Sequence, residues 1–328
     1  MVKGQDSRKN ISDFLSVTAN ICCGIRDSLN KISDTIKETA QEICLRSGRI
    51  AMVLTPNESY FLDEDGGLSQ KSNQKGLIVS SVDLNETLKS ICNFSIYSFQ
   101  NQIKNSFITM RGGHRAGICG TAVINQGEII NLAEISSINF RIAREFMGCS
   151  EKIFEKFGFD LGGTLIAGPP ASGKTTILRD IARKISSENL NGKFIKTVVI
   201  DERREIASCY GGVPQKDVGF SDVLADFPKG EGILRAARTF SPEIIICDEI
   251  GNLSDAEAVR EVLNSGVGII ASVHAKTPEE IANSNRISPI LNSGAIKRVI
   301  LLENRGKPGI IKDYYVVNVK TKNKIIAD

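Results

Sequence analysis

Nine consecutive residues near the middle of the chain, Gly168, Pro169, Pro170, Ala171, Ser172, Gly173, Lys174, Thr175 and Thr176, contain the spacing G-x-x-x-x-G-K-S/T. Such a loop suits phosphate. Its glycines let backbone N–H groups turn inward around phosphate oxygens, and a helix beginning there adds the positive end of its dipole. In this arrangement the Lys174 ammonium reaches the β- and γ-phosphates of a bound ATP, and the Thr175 hydroxyl holds Mg²⁺. The surroundings agree: apolar TLIA precedes the loop and the amphipathic stretch TTILRDIARKI follows it. An ordinary glycine-containing strand-to-helix turn is the bland alternative, and that context favours nucleotide.

Phosphoryl transfer to water also needs a carboxylate on the metal side and a group to orient the attacking water. The run Ile244, Ile245, Ile246, Cys247, Asp248, Glu249 offers both at the end of an apolar strand, with Asp248 for the metal and Glu249 as the water-polarising base. A third acidic group, Asp201, Glu202 and Glu205, closes the strand VVID, and His274, one of only two histidines, ends IIASVH. Acidic strand ends are often merely solvated and a lone histidine is often a satisfied polar group. Beside a phosphate loop, Glu202, Glu205 and His274 become catalytic candidates.

These groups must be positioned by a sheet. The apolar strands TLIAG, IKTVVID, PEIIICDE, VGIIASVH and RVILLE alternate with helical stretches, which predicts a mostly parallel sheet covered on both faces. Upstream, Leu29, Ile32, Ile36, Ala40 and Ile43 recur at helical spacing, predicting one helix ending near Arg46 and Gly48. RIAMVL and GLIVS read as strands around a polar loop from Asp63 to Lys75, and a helix starts at Asp83 with Glu86 as its capping partner. SFITM, AGICGTAVI, EIINLAEI and INFRIA read as antiparallel strands about a turn at Asn125, Gln126 and Gly127. Ser254 with Glu257 and Thr277-Pro278 with Glu280 read as helix starts, and Gly266 as a helix end. The fold class is therefore α/β. An α+β domain over 1–146, a linker over 147–157 and a nucleotide-binding domain over 158–328 are expected.

Composition bounds the rest. The 328 residues suffice for two domains, and 41 basic against 38 acidic residues leave a formal charge of +3, too balanced to advertise nucleic acid as partner. There is no tryptophan, aromatics are 6%, and no basic-aromatic stripe suits base stacking. No apolar run approaches the roughly 18 residues of a spanning helix, and the N-terminus lacks a secretory signal. Eight scattered cysteines lack CxxC spacing, so reduced, buried thiols in a cytoplasmic protein are expected.

Taken in order, the phosphate loop, the acidic box Asp201 to Glu205, the Asp248-Glu249 strand and His274 in SVHA resemble the four signatures of type II and type IV secretion ATPases, a RecA-like group of P-loop proteins. More narrowly, ITMRGGHRAGICGTAV, SSINFRIARE, GGVPQKDVG, FPKGEG and FSPEIIICDEIG resemble the stage III sporulation protein AA family, over about Glu42 to Asn304. The resemblance implies a RecA-like P-loop NTPase domain and an ATPase assembling as a ring, usually a hexamer. By the same resemblance it energises an export apparatus between mother cell and forespore, docked by a membrane protein at the inner face of the membrane. It also implies an arginine supplied by a neighbouring subunit, for which Arg141 ranks first, then Arg144, Arg111, Arg115, Arg235 and Arg238; His114, in the same glycine loop as Arg115, reads as structural. The family's arginine before its DVLD-like segment is replaced here by Phe220-Ser221-Asp222. The rival reading is a nucleic-acid motor or a nucleotide-gated binding module on the same core.

Overall fold

The computed structural model describes residues 2–72, 75–187, 194–292, 294–303, 309–318 and 324–327. It divides into two compact units, Met1–Arg144 and Glu145–Asp328. The first holds α1 (Val2–Thr18), α2 (Cys23–Lys31), α3 (Asp34–Thr39), β1 (Glu42–Arg46), β2 (Met52–Leu54), β3 (Ser59–Leu62), β4 (Leu68–Ser69), α4 (Ser81–Ile91), α5 (Gln100–Lys104), β5 (Phe107–Thr109), β6 (Arg115–Asn125) and β7 (Glu128–Arg141). Its strands form one antiparallel sheet in the order β4-β3-β2-β1-β7-β6-β5.

The single helix expected through Ile43 is instead α2, α3 and β1. The chain turns extended at Ile32 and Ser33, and Ile43 lies in a strand opposite Phe140. Helical spacing was a coincidence of apolar positions. Pairing with β7, where Ile43, Leu45, Ile138 and Phe140 are all fully buried, decided the outcome. GLIVS contributes only isolated bridges, at Gly76 and Ile78. EIINLAEI and INFRIA form one strand, β7, while β3 and β4 went unread. The cap of α4 is Ser80 with Asp83 in a reciprocal capping box, which displaces the expected Asp83–Glu86 pair.

The second unit holds α6 (Glu151–Phe157), β8 (Thr164–Ala167), α7 (Lys174–Ser187), β9 (Thr197–Asp201), β10 (Asp222–Ala225), α8 (Lys229–Phe240), β11 (Ile244–Cys247), α9 (Leu253–Asn264), β12 (Gly268–Val273), α10 (Pro278–Ala282), α11 (Ser288–Asn292), β13 (Arg298–Leu302), β14 (Ile311–Asn318) and β15 (Lys324–Ala327). Its sheet runs β10-β9-β11-β12-β8-β13-β14-β15, parallel through β13 and antiparallel at the last two strands. Alternate residues serve opposite faces. Leu165, Ala167, Ile245 and Cys247 join the core under α8 and α9, whereas Ile166, Ile244 and Ile246 join the core under α6 and α7. Burial on both faces is why these strands read as unbroken apolar runs. The 147–157 stretch contains α6, whose Ile153 and Phe154 are core residues. Helix α9 is capped by Asn252 in place of the expected Ser254, α10 by Thr277, and Gly266 (φ +91°) follows α9.

All eight cysteines are free, and five are buried. Burial pushes the Cys247 thiol up to about 12, so it stays protonated and packs as an apolar group. Helix α7 is pinned to the segment before α6 by Asp180, which is 3% exposed. Its carboxylate accepts from the Ser150 hydroxyl at 2.6 Å, the N–H groups of Ser150 and Gly148 at 2.9 and 3.1 Å, and the Arg183 guanidinium at 2.9 Å. Burial raises the carboxyl pKa, but these donors outweigh it and hold the group below its ordinary value. A depressed folded-state pKa stabilises above the unfolded value and is lost as pH falls through the folded one. Asp180→Ala is therefore expected to cost about 2–4 kcal/mol near pH 7. The gap between parent and variant should narrow in urea melts below the ordinary carboxylate range; a gap independent of pH refutes the assignment.

Candidate functional site

The phosphate loop joins β8 to α7, at the carboxyl ends of the adjacent strands β11, β12 and β8. Open parallel sheets bind ligands at that end. A Cβ on Gly168 would lie 2.5 Å from the Ser172 hydroxyl and 3.2 Å from Leu302 Cβ, so only glycine fits. Gly173 (φ +92°) and Ala171 (φ +62°) are left-handed, and the strain at Ala171 is of the kind loops keep where function needs the shape. Ile177 N–H bonds back to Gly173 O at 3.0 Å, so the N–H groups of Lys174, Thr175 and Thr176 precede the first intrahelical bond and are the orphan donors of the helix start. Ser172 is fully buried and its hydroxyl has no hydrogen-bond partner among the described residues.

Lys174 is 6% exposed and its three donors are all placed: on Gly168 O and Pro169 O at 2.9 Å each, and on His274 Nδ1 at 3.1 Å. Burial lowers the ammonium pKa, and the charges of Asp248 and Glu249 work against that. An ammonium has no acceptor, so Nδ1 of His274 must accept. The imidazole proton then sits on Nε2, which lies 3.1 Å from Glu249 Oε1. A chain of contacts thus runs from the phosphate-loop lysine through the histidine to the glutamate.

Thr175 Oγ1 donates to Asp248 Oδ2 at 2.7 Å. The other oxygen, Oδ1, accepts from the Ser272 hydroxyl and from Glu249 N–H, the latter at 2.9 Å. Glu249 N–H also reaches Ser272 Oγ at 2.9 Å, and Glu249 itself is left-handed (φ +28°). Its second oxygen lies 3.9 Å from Arg203 Nη1. A triphosphate with a divalent cation fits this donor set: ordered N–H groups and an ammonium for phosphate, and a hydroxyl with a carboxylate, both hard oxygen ligands, for Mg²⁺.

The acidic box behaves differently from its members' spacing. Asp201, 1% exposed, accepts from the N–H groups of Glu205, Ile206, Ala207 and Ser208 at 2.7–3.2 Å, folding the loop after β9 around itself. Burial pushes its carboxyl up while those four donors pull it down. Glu205 enters through its backbone, whose carbonyl receives Arg179 at 2.5 Å. Glu202 accepts from Lys229 Nζ at 3.1 Å, and that same nitrogen donates to Glu249 O at 2.7 Å.

Among the arginines, Arg141 is exposed at the end of β7, 3.5 Å from Glu42. Arg144 is spent on structure, donating to the carbonyls of Asn10, Lys37 and Ala40 at 2.7–3.2 Å, which removes it as a mobile cation. Arg115 stacks on Phe107, Arg235 pairs with Glu231, and Arg238 pairs with Glu261. His114 is fully buried and accepts from Ala143 N–H at 3.1 Å, so it is a structural residue. Ser272, Lys229 and Arg203 were missed. A serine inside the apolar strand IIASV was a readable signal, since a buried hydroxyl demands partners.

Comparison with known proteins bears on the family and the fold. The family model for sporulation stage III, protein AA matches residues 6–321. Stage III sporulation protein AA of Bacillus subtilis (strain 168) is 32% identical over 293 residues, spanning 89% of this chain and 91% of its own. The ATPase DotB of Legionella pneumophila superposes with a TM-score of 0.53 at 15% identity, covering 92% of this chain and 78% of DotB. The pilus retraction motor PilT with bound ADP gives 0.53 at 16% identity, covering 88% and 84%. At such identities the two structures share a fold with this chain: two sheets, one largely parallel, as in P-loop secretion ATPases.

Proposed function

Since the chain belongs to the sporulation stage III protein AA family, we propose that it is a Mg²⁺-dependent ATPase, a ring-forming motor that energises an export apparatus between mother cell and forespore. The observation carrying this reading is the linked set Lys174, His274 and Glu249 beside Thr175 and Asp248. Lys174 exchanges its loop carbonyls for phosphate oxygens when ATP enters the loop, and the N–H groups of 173–176 hold the β-phosphate. Mg²⁺, held by Thr175 and Asp248, would neutralise charge on the phosphate oxygens. Glu249 takes the proton of the attacking water, and His274, donating through Nε2, holds that carboxylate in place.

No described helix is long and apolar enough to cross a membrane, so work on a membrane apparatus requires a membrane protein to dock the ring, placing it at the cytoplasmic face. Arg141, offered by a neighbouring subunit, would complete each site. The deciding measurement is phosphate release from ATP with Mg²⁺ or EDTA, with and without single-stranded DNA, and with and without membrane extract. Mg²⁺-dependent turnover indifferent to DNA is expected. Stimulation by DNA alone would replace the export motor with a nucleic-acid motor, and no turnover under any condition would remove the enzyme.

A further inference from the structure

Lys229 is the third residue of the FPKGEG signature, one place after proline, and the phosphate chemistry leaves it without a task. It is the first residue of α8 and is 7% exposed. Both features are costly: a cation at a helix N-terminus opposes the dipole, and a buried charge loses its hydration. Its Nζ makes two described contacts, to Glu249 O at 2.7 Å and to Glu202 Oε2 at 3.1 Å. The two glycines of the signature explain how it gets there. A Cβ on Gly230 would meet Ser254 O at 3.2 Å, and one on Gly232 would meet Ile200 Cγ2 at 2.8 Å. Glycine at both positions lets α8 press against the start of α9 and against β9, which fixes the ammonium under the Asp248-Glu249 turn.

We infer that Lys229, anchored by Glu202, is a positioning residue that clamps the carbonyl of Glu249 and thereby aims the Glu249 carboxylate at the reacting water. The inference rests on Glu249 being the base of the proposed reaction. The turn it acts on is strained, with Glu249 at φ +28°. Such a conformation persists only where its surroundings over-determine it. Ser272 and Asp248 hold the N–H side of Glu249, and Lys229 holds the C=O side. Released on the carbonyl side, the residue relaxes toward an ordinary φ and its carboxylate swings away from His274 Nε2. Glu202 thus acts at one remove: its oxygen keeps the ammonium from retreating, and its described side-chain partner is Lys229, not the phosphate loop.

The test uses the full chain and four variants: Lys229→Met, Glu202→Gln, Glu249→Gln and the double variant Lys229→Met with Glu249→Gln. Turnover, binding of a fluorescent ATP analogue and thermal midpoints are measured for each. Lys229→Met is expected to lower kcat by about 10²-fold, the usual consequence of misplacing a catalytic group by about 1 Å, with nucleotide affinity within about threefold of the parent. Glu202→Gln should show the same pattern at smaller size, and because it changes one group on a half-exposed side chain it serves if Lys229→Met does not fold. In the Glu249→Gln background, Lys229→Met should change single-turnover rates no further, because it acts only through Glu249. Parental kcat in Lys229→Met, or an undiminished effect in the double variant, overturns the positioning role while leaving the ATPase reading intact. Absence of turnover in the parent overturns both.

Discussion

Glu249→Gln is expected to bind ATP as the parent does and to release phosphate about 10²–10⁴-fold more slowly, the usual contribution of a positioned general base. The amide keeps the size of the carboxylate and can still accept from His274 Nε2, now 3.1 Å from Glu249 Oε1. The backbone of the turn stays held through Asp248, Ser272 and Lys229. Only the capacity to take a proton is lost. Lys174→Ala should behave differently, losing nucleotide affinity together with turnover, because it removes the ammonium that bonds the loop carbonyls of Gly168 and Pro169 and reaches His274. Equilibrium binding and phosphate release on the two variants separate the roles. Parental turnover in Glu249→Gln would remove the base, and undiminished affinity in Lys174→Ala would remove the phosphate site.

How much of this was legible in the sequence depended on whether the cause was local. The phosphate loop, Asp248, Glu249 and His274 could be read because each depends on spacing within a few residues and on the apolar strand before it. Strands β8, β9, β11, β12 and β13 were equally plain, since burial on both faces leaves continuous apolar runs. β10 was not. It is a four-residue edge strand with no fully buried side chain, so its membership in the sheet depends on pairing with β9. The segment from Leu29 to Ile43 failed for a related reason, because the partner that makes Ile43 a strand residue is Phe140, far along the chain. Function followed the same rule. Glu202 and Glu205 sit three residues apart, yet one reaches Glu249 through Lys229 while the other joins the loop around Asp201. Ser272 and Lys229 act across strands and helices onto the Asp248-Glu249 turn, and no local pattern announces that.

Mixing two inactive variants, Arg141→Ala and Lys174→Ala, is expected to restore turnover if sites are completed between subunits. A trans arginine is worth roughly 10³–10⁵ in rate where it has been measured in GTPases, so each variant alone should be nearly silent. In a ring assembled at random from equal parts, about a quarter of interfaces pair an intact Lys174 with an intact neighbouring Arg141. Recovery toward that fraction of parental turnover is the predicted result. Arg141 is suited to the exchange: it is exposed, and its 3.5 Å pairing with Glu42 is of the surface kind, worth at most about 1 kcal/mol, so a phosphate can displace it. Arg144 provides the control, because it is tied to three backbone carbonyls and Arg144→Ala should lower the thermal midpoint of the N-terminal unit without complementing anything. If co-purification through two tags shows mixed assemblies and phosphate release still does not recover, Arg141 is not the completing cation. The exposed arginine in the turn before β6, Arg111, then becomes the next to substitute.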